Sequence, residues 1–534
     1  MRRSRLSIIS SLLLAFCLTH TGCFSANEPS TYYGRVAPPK SQEFRWSNGG
    51  LPQTFDPAFA AAPPDTDAVR ALFEGLTDYD PRTLAPIPAV ATRWESSDDG
   101  RIWTFYLRDN ARWSNGEKVT AADFVRSWER TLKIGALAPH TELLANIEGA
   151  TPAEQSSEPA QFGARAINEH TLQVTLHHAD NSFPALVAHP VFRPVKVAAA
   201  DRTNRLESHE LISNGAFSLS TTEADKVQLE RAKTYWDEPS VALERVTFVN
   251  TTNAEDALSA YEAGEIDAIT NAPFEPLALK LLAPYKDFRR STYGALTYYA
   301  FNTSHAPFDD VRVREAFALA IDRERVSRDD LGGATEPAGK FLPEAMSGEK
   351  PVVDQADLLE YNVNKARELL AEAGYANGER FPVIRLLINR NEQQRIVAQS
   401  IAQMWRSALN VETEIVIRNW DEYEAAIKAG DYDIVRRGIV MQTTSELINI
   451  RLMFEHDVRA IPIPSPSPES SPAVEEKKEA IETESQALKN LTAVPIYFAS
   501  SYSLVKPYVS GFDANVLDAP ALKKTRLDTN WTTP

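Results

Sequence analysis

"WTFYLRDNARWSNGEKVTAADFVRSWERTL", Trp103 to Leu132, packs three tryptophans, several charges and an Asn-Gly pair into thirty residues. Trp103 to Leu107 alternates as a strand does, Asn115-Gly116 supplies a tight turn, and Thr120 to Asp123 has the spacing of a helix capping box. Phe124, Trp128 and Leu132 then recur every fourth residue, on one face of a helix. Asp109, Glu117 and Asp123 are scattered over these elements, with no histidine or cysteine to work with. The stretch reads as framework and not as an active site.

The surrounding chain has 534 residues, more than one core usually spans, so two or three lobes are expected. Hydrophobic residues make up 43% and charged residues 24%, as in soluble globular proteins. A formal net charge of -17 argues against a nucleic-acid partner, which requires a basic face. Arg2, Arg3 and Arg5 precede the apolar run Leu6 to Leu18, too short to span a bilayer but suited to an export signal. Thr21-Gly22-Cys23 follows and resembles the lipobox of bacterial lipoproteins, although His20 stands where that motif prefers Leu. Residues 1–23 are therefore expected to be a lipoprotein-type signal with Cys23 as lipidation site; ordinary signal cleavage nearby is the alternative. Both cysteines, Cys17 and Cys23, lie in this segment, so the exported part would have no disulfide.

Residues 24–43 are polar and read as a tether. From Phe44 onward short apolar runs alternate with helical patterns, as in an α/β protein. Thr171 to Asp180 alternates as a strand. Val313, Ala316, Phe317, Ala320 and Ile321 form one helical stripe, capped by Asp309 or Asp310. "NKARELLAEAGY" is a helix closed by Gly374, and "RIVAQSIAQMWRSAL" is another, followed by the strand "VETEIVIRNW", Val411 to Trp420. "IPIPSPSPESSPAVEE" (461–476) can form neither ladder nor helix and reads as an exposed loop. The charged "VEEKKEAIETESQALKNL" after it reads as a surface helix.

"ATRWESSDDGRIWTFYLRDNARWSNGEKVTAADFVRSWERTL" resembles the signature region of the extracellular solute-binding proteins of family 5. These are the oligopeptide-, dipeptide- and nickel-binding receptors of ABC importers, and the closest likeness is to the oligopeptide-binding members. The resemblance continues at "LPQTFDP", "ALFEGLTDYD", "ISNGAFSL", "RAKTYWDEPSVALERVTF", "YEAGEIDA", "YYAFNTSHAPFDDVRVREAFALAIDRERV", "KARELLAEAGY", "DYDIV" and "VPIYFASSYSLVKPYV". In this order the matches cover nearly all of the chain beyond its first residues.

The resemblance implies an α/β fold of the periplasmic-binding-protein-like type II (cluster C) kind, two lobes joined by two crossover segments with an extra domain on lobe one. Mapped here, lobe one comprises 44–76, 192–299 and 500–534, the extra domain 77–191, and lobe two 300–499. Crossovers then fall near Ala300 to Thr303 and Tyr497 to Ser501, with Thr303 and Tyr497 beside the hinge; strand packing is the alternative for both. Closure around a ligand is the implied motion. A peptide or peptide-like ligand would be held as an added strand and presented to the permease subunits, with no catalytic residue, no cofactor, no metal and a monomeric chain.

The implied cleft is lined by Leu51, Pro52, Gln53, Trp420, Arg436, Gly438, Ile439 and Gln442. Relatives fix the ligand's ammonium with a carboxylate in a pattern like Arg, any, Gly, Trp, any two, Asp. Here Arg436 and Gly438 match, but Ile439 stands in the Trp position and Gln442 in the Asp position. Leu51 stands where Glu is frequent. Leaving an enclosed ammonium without its partner costs about 3–5 kcal/mol, two to four decades in affinity. Glu446 is a substitute four residues on. These departures point to a scaffold with altered ligand preference.

Each residue also has a blander reading. Trp420 could be core at a strand end, Arg436 a salt bridge to Asp433, and Gln442 a solvated loop residue. His140 stands where relatives carry a ligand-facing Tyr, and reads as a surface histidine. Asn214-Gly215 reads as a structural turn. An enzyme would need a constellation that is missing: no Gly-x-Ser-x-Gly elbow, no His-Glu-x-x-His, no Gly-x-Gly-x-x-Gly. "GGATEPAGKF" misses the phosphate-loop spacing by one, with Phe341 in place of Ser or Thr. His177 and His178, adjacent on a strand, face opposite sides and cannot share a metal. The other open classes are a binding or chaperone lipoprotein without a transporter, and a structural lipoprotein with an empty cleft.

Overall fold

The computed structural model describes residues 31–150, 161–196, 211–251, 253–346, 359–458 and 480–532. Cys23 and its signal, the start of the tether and the Pro/Ser-rich loop lie outside the described residues. β1 (Glu43–Asn48) carries Phe44 and Trp46, both fully buried, into the first of two large cores. β2 (Thr77–Tyr79) and β3 (Pro86–Pro88) pair only with each other. β4 (Ala91–Ser96), β5 (Ile102–Leu107), β6 (Ala164–Asn168) and β7 (Thr171–Thr175) form a separate antiparallel sheet in the order β4-β5-β7-β6. Trp103, Phe105 and Leu107 of β5 turn inward by alternation.

The stretch from Trp103 to Leu132 is framework. Asn115 Oδ1 accepts from the Glu117 N–H at 3.1 Å, and Gly116 at φ 88° turns the chain. Thr120 and Asp123 make a reciprocal capping box on the helix Ala121–Ile134. Phe124 and Trp128 are fully buried on that helix, and the Trp128 indole N–H reaches the Phe192 carbonyl at 2.8 Å. Asn214 bonds both backbone groups of Glu74 at 3.0 Å, and a Cβ on Gly215 would lie 2.5 Å from the Ala71 carbonyl oxygen. The turn needs glycine for that approach.

The main sheet has eleven strands. On the side of the first core it contains β1, β8 (Phe217–Thr222), β9 (Lys226–Arg231), β10 (Arg245–Val249) and β11 (Ala268–Thr270). Then come β12 (Phe288–Phe301), β13 (Thr335–Pro337), β14 (Ile384–Asn389), β15 (Thr413–Arg418), β16 (Ile434–Val440) and β17 (Ala493–Val505). The order is β15-β14-β16-β12-β17-β11-β1-β10-β9-β8, with β13 on β17 off that path. β12 and β17, fourteen and thirteen residues long, run antiparallel and belong to both halves. Their pairing slips between Thr292 and Leu296, and again between Thr297 and Tyr298. Beyond the first slip β12 also pairs with β16.

The second core gathers Tyr299, Phe317, Leu386, Trp405 and Ile496. Its helix Val311–Leu319 is capped by Asp310, and Val313, Ala316 and Phe317 are buried. Val363–Glu372 and Glu392–Leu409 follow, each capped by an Asn. The helix Glu446–Val458 faces both cores: Ile448 and Leu452 pack in the first, Ile450, Met453 and Phe454 in the second. Two sequence expectations shorten. The strand at 171 ends at Thr175, before His177 and His178. Of the charged segment, residues 474–479 lie outside the described residues; the described helix is Glu484–Asn490, capped by Thr483 and Gln486, and because Glu484, Ala487 and Leu488 are buried it is not a surface helix.

Candidate functional site

β16 is paired on one side along its length with β12, from Phe301↔Ile434 to Ala295↔Val440. On its other side β14 accompanies it only at Ile434 and Val435. Residues 436–440 therefore border a strand edge left open on one side. The Met441 N–H goes to the Gly294 carbonyl at 2.7 Å, so by alternation Ile439 and Arg437 turn their backbone groups toward β12. Gly438 and Val440 turn theirs to the open edge, where the Arg436 carbonyl already accepts from the Tyr423 hydroxyl. Gly438 and Val440 are exposed. Such an edge is a template for one more strand.

Arg436 lies along this edge. Its Nη2 donates to Thr297 Oγ1 at 3.2 Å, while Nε is buried without a partner. The guanidinium overlies Gly438, where a Cβ would sit 3.1 Å from Nη2. A salt bridge from Arg436 to Asp433 is not made: Asp433 accepts from the Arg385 backbone N–H at 2.7 Å and lies 3.6 Å from the Arg385 Nε. Ile439 packs against the second core. Trp420 is not at a strand end, because the strand stops at Arg418 and Asn419 caps a helix, Trp420–Ala429. The indole is 61% exposed and 5.7 Å from the Tyr423 ring, which removes the core reading. Leu51 is half-buried against the first core, Pro52 is buried, and Gln53 is exposed with its N–H on Asp65 Oδ1 at 2.6 Å.

At its Gln442 end the open edge leads to a contact with the segment around Ser182. The Gln442 amide donates to the Val440 carbonyl at 3.3 Å. Thr443 and Ser445 are fully buried, and Ser445 Oγ lies 2.8 Å from Ser182 Oγ, which also bonds Asp180. His189, 1% exposed, stacks edge-on against His140 at 5.0 Å. His189 Nδ1 accepts from the Val191 N–H at 3.2 Å, which leaves the proton of the neutral ring on Nε2, and the Gln442 side chain is its hydrogen-bonding neighbour. Burial first, then the positive neighbours His140 and Arg70, hold the His189 pKa well below the ordinary range. Burial pushes Asp180 up and Tyr79 up to about 12.

His140 is not on the surface; it is buried with Nε2 2.8 Å from the Ala61 carbonyl oxygen. Glu446 is no stand-in carboxylate, since it accepts from the Glu484 N–H at 2.7 Å. Tyr497 is buried in β17 opposite Thr297, its hydroxyl accepting from Gln394 at 3.0 Å. Thr303 lies in the turn after β12, beyond the slip between Thr292 and Leu296. His189, Ser182 and Ser445 carry no local sequence signal, because they meet Gln442 and its neighbours only through tertiary structure. Among the described residues no group of three or more His, Cys, Asp or Glu is arranged to hold a metal, and no helix is long and apolar enough to cross a membrane.

Two cores on one continuous sheet, joined by two shared strands and flanking an open edge, define the class of two-lobed solute receptors. The model of the bacterial extracellular solute-binding proteins, family 5, matches residues 85–456, and the chain belongs to that family. It is 29% identical over 528 residues to the periplasmic oligopeptide-binding protein of Escherichia coli, covering 95% of each chain. It is 31% identical over 496 residues to the periplasmic murein peptide-binding protein of Escherichia coli, covering 89% of this chain and 91% of that one. The unliganded open form of the periplasmic murein tripeptide binding protein superposes with a TM-score of 0.77 at 28% identity, covering 92% of this chain and 98% of the other. The fold is accordingly the type II periplasmic-binding fold.

Proposed function

We propose that this chain is an extracytoplasmic receptor of an ABC importer that takes a peptide-like ligand as an added strand on the open edge of β16 and passes it to membrane permease subunits. The observation that carries the proposal is the edge from Arg436 to Val440 that no strand covers; the Arg436 and Val440 carbonyls take side-chain donors, and the Gly438 backbone between them suits an extended chain of any sequence. The names of its relatives, which bind oligopeptides and murein peptides, support the same ligand class.

In this reading Leu51, Pro52 and Gln53 line the lobe-one side. Trp420 offers an exposed aromatic face, Arg436 a guanidinium for an acidic group, and Gly438 and Ile439 backbone. Gln442 ends the edge. Lobe one is 44–76, 192–299 and 500–534, the extra domain 77–191 and lobe two 300–499, with Thr303 and Tyr497 near the hinge. Export by the N-terminal segment, a lipid anchor at Cys23, a monomeric state and the lack of any catalytic step complete the proposal.

Native mass spectrometry of the purified protein, alone and with a library of random tri- to pentapeptides, tests it. One peptide per chain is expected. Gly438→Pro, which removes an edge N–H, is expected to weaken binding by about tenfold. Absence of any bound peptide sinks the proposal.

A further inference from the structure

Residues 31–35 are fixed to one face of the molecule. The Thr31 carbonyl accepts from the Lys286 N–H at 3.0 Å, the Tyr33 N–H bonds the two Asp287 carboxylate oxygens at 3.0 and 3.2 Å, and the Arg35 N–H bonds the Glu262 carbonyl at 2.8 Å. Lys506 Nζ reaches the Tyr33 carbonyl at 3.1 Å, and the Tyr33 ring meets Tyr285 edge-on at 5.3 Å. The helix Pro276–Leu282 stands beside this dock, because its Leu282 packs in the same small cluster as Tyr33 and Tyr261. Leu277 and Leu281, one turn apart on that helix, are 68% and 65% exposed. Lys280 and Lys286 are exposed beside them, and neither has an ion-pair partner among the described residues. The one acid between Pro273 and Lys286 is Glu275, at the N-cap. Cys23 lies outside the described residues, eight positions before Thr31, and eight residues of any chain span at most about 28 Å. Whatever holds Cys23 is therefore close to this leucine pair.

Resting on the Cys23 anchor proposed above, we infer that the helix Pro276–Leu282 is a membrane-contact face: Leu277 and Leu281 enter the bilayer interface, and Lys280 and Lys286 meet lipid phosphates. Leucines left in water gain by transfer to the acyl boundary, and a lysine stem can lie along that boundary with its ammonium at the headgroups. The anchor supplies proximity, since a chain held in the bilayer at Cys23 presents this face to lipid at high effective concentration. The consequence is a fixed orientation: the docked tether and its leucine pair sit against the membrane, instead of the receptor turning freely about its anchor.

The test uses the full chain, exported and purified as the cell processes it, then reconstituted into vesicles of phosphatidylcholine and phosphatidylglycerol. A polarity-sensitive thiol probe is placed at Ala283→Cys, an exposed position beside the leucines. The probe is expected to shift to the blue and to be quenched by lipids that carry a quencher. The same probe at Val383→Cys, exposed before β14 and four strands along the sheet from β11, is expected to stay in water. Leu277→Ser/Leu281→Ser, checked for unchanged thermal unfolding, is expected to lower the quenched fraction by about tenfold while the protein stays on the vesicles. An anchored protein whose Ala283 probe is quenched no more than the Val383 probe overturns the inference and leaves the anchor standing. A probe that is buried yet not quenched by lipid identifies a protein partner, a second copy included, and overturns the inference as well. A mass spectrum of the N-terminal peptide without an acyl group on Cys23 overturns the anchor reading and the inference with it.

Discussion

Arg130, in the half of the molecule built on the first core, and Arg323, in the half built on the second, are both buried, 3% and 5% exposed, yet they are satisfied by different chemistry. Arg130 forks onto Asp56 at 3.0 and 2.6 Å. The same half repeats the device: Arg45 on Asp267 at 2.7 Å, and Lys523 on Glu74 at 3.1 Å and Asp78 at 2.7 Å. Arg323 instead donates to the carbonyls of Pro495 at 2.8 Å and Leu359 at 3.0 Å, and burial alone pulls its pKa down to about 10. Arg314 likewise reaches the carbonyls of Leu491, Phe308 and Asn490 at 2.7–2.9 Å. Lobe one is assembled from chain segments far apart in sequence, and its ion pairs join them. Lobe two uses arginines to tie loop carbonyls around β17. The lesson is that an ion pair holds two charges hostage to each other, while a carbonyl cage holds one.

That contrast can be broken by mutation. Asp56→Asn strands the Arg130 charge and is expected to cost about 3–5 kcal/mol in urea unfolding, with Asp56→Asn/Arg130→Met recovering much of it. A double variant as unstable as the single would refute the stranded-charge account. Glu484 sharpens the comparison, since this buried lobe-two acid has no paired arginine: burial pushes its pKa up to about 7. The folded state then holds a proton that the unfolded chain releases near pH 4.5. Stability contributed by that proton is present below the unfolded value and is lost as pH rises toward 7, by up to about 3 kcal/mol. Glu484→Gln should flatten this decline, and an unchanged pH–stability curve would remove Glu484 as its source. The smallest effect is expected for Arg323→Met, about 1–3 kcal/mol, because it leaves carbonyls unsatisfied but no anion. A loss equal to that of Asp56→Asn would erase the distinction between the lobes.

Local signals made much of the fold legible. The capping box at Thr120, the Asn-Gly turn at Asn115 and the stripe through Phe317 act within a few residues, and sequence displays them directly. Trp420 was misplaced although its signal was present: Asn419 followed three residues later by Glu422 marks a helix start, and Asn419 Oδ1 does accept from the Glu422 N–H at 3.0 Å. The open edge of β16 was out of reach, because it depends on β14 parting from its neighbour after two residue pairs. The wall at Gln442 was equally hidden, since Ser182 and Ser445 stand 263 positions apart. His140 reads as a surface residue in the sequence because nothing nearby announces the Ala61 carbonyl.

β12 and β17 also decide how this molecule can be taken apart. Because a single sheet threads through both halves, neither can be excised as a free-standing module: a cut lays bare the backbone of two long strands, an adhesive surface that would drive aggregation. Split reporters or transplanted lobes built on this scaffold should therefore be divided within surface loops that keep both strands in one fragment.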